Sequence, residues 1–116
     1  MQVQIHTGAG VEGREGLVRR VEAEVAAALG RFADRLTRVE VHLGDENAGK
    51  SGAADKRCTM EARPAGQQPV AVTHEAATLE EACDGAAEKL GNLLESRFGR
   101  LDDRKGAASI RDDDRG

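Results

Sequence analysis

The chain has 116 residues, 39% of them hydrophobic and 33% charged, which bounds it to one domain with a modest core and a well-solvated surface. Phe32 and Phe98 are the only members of the Phe, Trp and Tyr set, which excludes the aromatic platform that single-stranded nucleic acids stack on. The net charge is −4 and residues 99–116 are charge-balanced, so the body is acidic and any RNA contact requires local basic patches.

Met1–His6 alternates, with Val3 and Ile5 on one side and Gln2, Gln4 and His6 on the other, as in a half-buried strand. From about Glu12 to Phe32 the period changes: Leu17, Val21, Val25, Ala28 and Phe32 line one face of a helix that ends near Ala33 and Asp34. Thr37–Leu43 returns to alternation, with Val39, Val41 and Leu43 inward. Gly44–Lys56 is small, polar and charged, and is predicted to be a long loop. Arg57–Arg63 resumes alternation with Cys58, Met60 and Ala62 inward. Pro64–Pro69 has turn chemistry, and Val70–His74 is a fourth strand with Val70 and Val72 on one face. Thr78, Leu79, Glu80 and Glu81 form a capping box that opens a last helix. Its apolar stripe comprises Leu79, Cys83, Ala86, Leu90, Leu93, Leu94 and Phe98. Beyond Leu101 the chain offers too little apolar surface to offset ordering entropy, so 102–116 is expected to be a disordered charged tail.

The element order β-α-β-β-β-α, with one apolar face per strand and one stripe per helix, predicts an α+β domain over residues 1–101. Four strands form one mixed sheet with both helices packed on one face. The first two strands are parallel through a right-handed crossover, and the last three form an antiparallel meander. The other face, with Gln2, Gln4, Arg38, Glu40, Arg57, Thr59, Glu61 and Arg63, looks toward water or a partner.

Two glycine motifs imitate nucleotide sites. Gly44–Ser51, GDENAGKS, spells the phosphate-loop pattern, but a helix must follow such a loop and here the sequence after Ser51 returns to period two. Asp45 and Glu46 would also repel phosphate. Gly8–Gly13 spells G-x-G-x-x-G between a strand and a helix, yet a single βαβ unit builds no crevice between two wound halves. No nucleotide cofactor is expected. His6, His42 and His74 show no metal-binding spacing and are taken as solvent-facing, with no metal assigned. Cys58 and Cys83 fall on core-facing positions as buried free thiols, consistent with a reducing cytosol, and no catalytic constellation is present. No apolar run approaches the ~20 residues of a membrane span.

Basic side chains are the remaining candidates. Arg20 and Arg31 flank the stripe of the first helix with Glu24 between them. Lys89 and Arg100 share a stripe of the last helix with Ser96. Arg35 and Arg38 bracket the start of the second strand, and Lys56 starts the third. This pattern suits phosphate contacts on folded RNA, and equally a mixed-charge solvated face.

The order of elements, the opening MQVQIHT, the segment LGRFADRLTRVEVHL and the run VAVTHEAATLEEACDGAAEKLGNLLE together resemble the ribosome hibernation-promoting factor and ribosome-associated inhibitor family over about residues 1–101. The resemblance implies a fold similar to the double-stranded RNA-binding domain. It also implies a non-enzymatic cytoplasmic factor that binds the rRNA of the small ribosomal subunit and inactivates or stores ribosomes under stress or in stationary phase. It marks Arg31, Arg35, Arg38, Lys89, Arg97 and Arg100 as RNA-binding by type. A homo-oligomer is compatible with it but not required. The alternative is a protein-interaction module that keeps the fold without rRNA binding.

Overall fold

A computed structural model describes residues 1–8, 15–45 and 56–113 of the protein, with side chains described through Leu101. The elements are β1 (Gln2–Thr7), α1 (Glu15–Leu29), a 3-10 segment (Gly30–Arg35), β2 (Leu36–Asp45), β3 (Lys56–Pro64), β4 (Val70–Ala76) and α2 (Leu79–Asp113). One four-stranded sheet runs in the order β1-β2-β3-β4. β1 and β2 are parallel, and the β2-β3 and β3-β4 pairs are antiparallel, as the alternating segments predict.

Strand alternation becomes burial on one face. Val39, Val41, Met60, Ala62 and Cys58 are fully buried there, beneath Leu17, Val21, Val25 and Leu29 of α1 and Ala82, Cys83, Ala86, Leu90 and Leu94 of α2. Phe32 and Phe98 close the core at one end, with ring centroids 5.4 Å apart and tilted by 47°. The helices run side by side in the same direction. Arg31 meets Glu95, and a Cβ placed on Gly91 would lie 3.5 Å from the Ala28 carbonyl, so the small residue lets the backbones approach. At the start of α2 the Glu81 N–H donates to Thr78 Oγ1 at 3.1 Å, the forward arm of the capping box.

Several expectations change. Leu29, rather than the half-buried Ala28, is the fully buried residue at the end of α1. Leu93 turns outward and is 39% exposed, while Ala82 and Ala87 complete the α2 stripe instead. Gly44 and Asp45 are not loop: they pair with Arg57 and Lys56 and extend the β2-β3 ladder. The first two residues of the GDENAGKS motif are therefore extended strand, and residues 46–55 lie outside the described residues. So do residues 9–14, most of the second glycine motif; Gly8 donates its N–H to the Leu43 carbonyl at 2.8 Å. The backbone of α2 continues past Leu101 to Asp113, where a disordered tail is predicted.

His74 is not solvent-facing. It shares the buried face with Val70 and Val72 and lies under Gly85 of α2, where any Cβ would collide with its ring. Cys58 and Cys83 are buried and free, as expected. The neighbouring Cys83 thiol, then burial, push the Cys58 thiol upward and keep it protonated.

Candidate nucleic-acid interface

The chain reverses direction so that Leu36 pairs with Pro64 at one end of the sheet and Asp45 with Lys56 at the other. At the Leu36 end, α1 passes into the 3-10 segment, β2 begins and α2 passes by. Arg31, Arg35, Arg38, Arg97 and Arg100 all belong to this end. Each is held by a local contact. Arg31 pairs with Glu95 at 3.0 Å and its guanidinium lies 4.8 Å from the Phe32 ring centroid. Arg35 stacks on Phe98 at 4.0 Å. Arg97 donates to the Gln68 carbonyl at 2.8 Å, and Arg100 donates to Ser96 Oγ at 2.7 Å. Gln67, Gln68, Arg97, Arg100 and Leu101 line a shallow concavity between the β3-β4 turn and α2. The turn is fixed by Ala65 N–H donating to the Arg35 carbonyl at 3.0 Å, and Gly66 adopts φ 72°, a left-handed conformation that favours glycine.

Arg38 lies on the uncovered face of the sheet, with Nη2 2.9 Å from Glu40. Directly opposite it in register stands Arg63, which pairs with Glu61 at 3.2 Å. Arg63 is absent from the sequence-derived site. Alternation already puts it on the polar face, but only the register places it beside Arg38. The Nε atoms of both arginines are buried without a hydrogen-bond partner.

The other three sequence candidates lie elsewhere. Arg20 is midway along α1 and is ion-paired with Glu24 at 3.5 Å. Lys89 is on the β4 side of α2 and donates to the Thr73 carbonyl at 3.0 Å. Lys56 is at the far end of the sheet, 3.2 Å from Asp45. The spacing that joins these residues in the sequence does not bring them to one place.

Between the helices the charge is reversed. Glu24, Asp84 and Glu88 line a groove together with Ala27, Ala28 and Gly91, and Arg31 lines it too. Burial, and then the hydrogen bond and charge of Asp84, raise the Glu24 carboxyl to about 7. An arginine-rich end therefore adjoins an acidic interhelical groove, with Arg31 belonging to both, and the whole-chain charge of −4 conceals that unevenness. Among the described residues no helix is long and apolar enough to cross a membrane.

The fold is similar to the N-terminal domain of Thermus thermophilus Protein Y. That match has 26% identity and a TM-score of 0.68, and covers 84% of this chain and 99% of that one. A ribosomal subunit interface protein from Coxiella burnetii shares the fold at 17% identity and a TM-score of 0.67, over 85% of this chain and 99% of that one. No curated protein sequence matches. A family profile described as "Sigma 54 modulation protein / S30EA ribosomal protein" matches residues 4–102, nearly the whole α+β unit, and the chain belongs to that family of ribosome-associated factors.

Proposed function

We propose that the protein is a non-enzymatic, cytoplasmic factor that binds the small ribosomal subunit and inactivates or stores ribosomes under stress or in stationary phase. The observation that carries this reading is the convergence of Arg31, Arg35, Arg97 and Arg100 from two helical segments, with Arg38 and Arg63 at the same end of the sheet. Phosphate recognition needs guanidinium groups already oriented, since ordering long side chains opposes binding. Here aromatic rings, a backbone carbonyl and a serine hydroxyl supply that order. A guanidinium has five N–H donors, so the single bond from Arg97 to Gln68 leaves donors for phosphate. The acidic remainder of the body restricts contact to this end. Inhibition is then steric: the domain occupies the space that other ligands of the subunit require.

Co-sedimentation with purified small subunits tests the proposal. The protein should travel with the subunits at low salt and be released as salt rises, because each phosphate contact displaces counterions. The Arg31→Glu, Arg97→Glu, Arg100→Glu triple variant should remain at the top of the gradient with an unchanged circular-dichroism spectrum. Wild-type protein left wholly at the top at low salt, or a triple variant that binds like wild type, would refute the reading. Recovery of a protein partner insensitive to RNase, with no ribosomal proteins, would favour the interaction-module alternative.

A further inference from the structure

The uncovered face of the sheet holds a second group of side chains outside the arginine set of the proposed ribosome interface. β1 and β2 are parallel and in a register that sets His6 directly beside His42. Their rings stack, with centroids 4.6 Å apart and planes 13° from parallel. Glu40 precedes His42 by two residues on the same face. Its Oε2 is held by Arg38 Nη2 at 2.9 Å, which leaves Oε1 directed at His42 Nε2, 3.5 Å away. One ligand atom from each of His6, Glu40 and His42 lies within 4.8 Å of the other two, and among the described residues this is the one such group.

We infer that His6, Glu40 and His42 form a binding site for a divalent transition metal, of which zinc is the representative ion. Two imidazoles and one carboxylate are the donor set that zinc, nickel and copper take, whereas magnesium and calcium require oxygen donors throughout. Tetrahedral zinc with bonds of about 2.0–2.1 Å holds its ligand atoms about 3.3 Å apart. Both imidazoles are exposed, so side-chain rotation can draw the ligand atoms from within 4.8 Å toward that distance. Arg38 orients the carboxylate from outside the ligand set, the role that outer partners play in metal sites. Three protein ligands leave a fourth position open to water or to a partner's side chain.

The placement gives the ion a structural consequence. β1 is an edge strand whose Val3 and Ile5 are only partly buried, and among the described residues β2 is its one neighbour in the sheet. An ion bridging His6 to His42 ties this strand to the sheet. It binds the folded state alone, since the unfolded chain does not juxtapose the two residues, so it raises the melting temperature as its concentration rises.

The test uses the full chain, stripped of metal with a chelator and then titrated with zinc chloride by isothermal calorimetry and followed by thermal melting. Saturable one-to-one binding and an upward shift in Tm are expected with zinc and not with magnesium chloride. His6→Ala and His42→Ala should each weaken zinc by at least about tenfold and abolish the shift, since losing a ligand costs no less than losing an outer partner. Both side chains are exposed, so both variants fold, which circular dichroism verifies. His74→Ala, altered on the opposite face, should keep the zinc response. Cobalt should give a visible absorption band in wild type that is absent from the His6 and His42 variants. Absence of one-to-one zinc binding, an equal response to magnesium, or binding unchanged in both histidine variants would overturn the site.

Discussion

Replacing Glu24 with glutamine should flatten the dependence of stability on pH between about 4.5 and 7, the ordinary and the folded-state values of this carboxyl. Glu24 faces α2 from α1 with its side chain 21% exposed. As a carboxylate its Oε1 is buried without a hydrogen-bond partner, whereas the protonated group can donate to Asp84. Arg20 offsets only part of the penalty. The folded state therefore retains a proton that the unfolded chain has already released, and stability falls as pH rises through this window. At about 1.4 kcal/mol per pH unit the displacement has a ceiling of about 3 kcal/mol. Solvent contact and screening reduce the expected loss to about 1–2 kcal/mol. The substituted glutamine would donate its amide to Asp84 and present its carbonyl to Arg20 with no charge to bury. Urea unfolding at pH 4 and pH 8 reads the effect. Glu24→Gln should be about 1–2 kcal/mol more stable than wild type at pH 8, and the two should converge at pH 4, below the ordinary value of 4.5. Parallel pH profiles for the two proteins would refute the assignment of a raised Glu24 carboxyl.

Gly85→Ala should destabilise the fold by about 1–3 kcal/mol in thermal melts, because its Cβ would fall on the His74 ring. Adding His74→Ala should recover much of that loss, since the freed space lets alanine express its helix preference of about 1 kcal/mol over glycine. Leu90→Ala, at a fully buried position between sheet and helices, should cost about 2–5 kcal/mol in urea unfolding. Below its own unfolding transition that variant should still sediment with small subunits as wild type does. Cys58 and Cys83 should resist an aromatic disulfide reagent in the native state and react in denaturant, because both are buried and Cys58 is held protonated.

The arginine-rich end was only half legible from local pattern. Arg31, Arg35, Arg38 and Arg100 stand out by position beside apolar stripes and strand starts, and Arg97 by resemblance to relatives. Arg63 was visible as a polar-face residue, but its partnership with Arg38 requires the β2-β3 register, which shifts between Leu36 and Arg38. There Thr37 donates its hydroxyl to the Arg63 carbonyl at 2.9 Å. Arg20, Lys56 and Lys89 carry the same local signature and lie elsewhere, because charge spacing does not encode which elements become neighbours. His74 is the opposite case. The period of two that places Val70 and Val72 inward places His74 with them, and the helix above accommodates its ring by having glycine at position 85.

By itself the sequence determined the elements, their order and which side of each is apolar. Alternation over Val39–Leu43 and Arg57–Ala62, and a helical stripe from Leu79 to Phe98, admit one economical layering of sheet and helices. These are short-range properties: a period of two or 3.6 is a consequence of backbone geometry within one element. Tertiary structure decided everything that depends on the offset between elements. The register of β1 on β2 stacks His6 on His42, and that of β3 on β2 sets Arg63 beside Arg38. The axial offset of α1 against α2 brings Glu24 to Asp84 and Arg31 to Glu95. Such offsets are set by how whole apolar faces fit together, so no single segment carries them, and the candidate sites of this protein lie where those offsets bring side chains together.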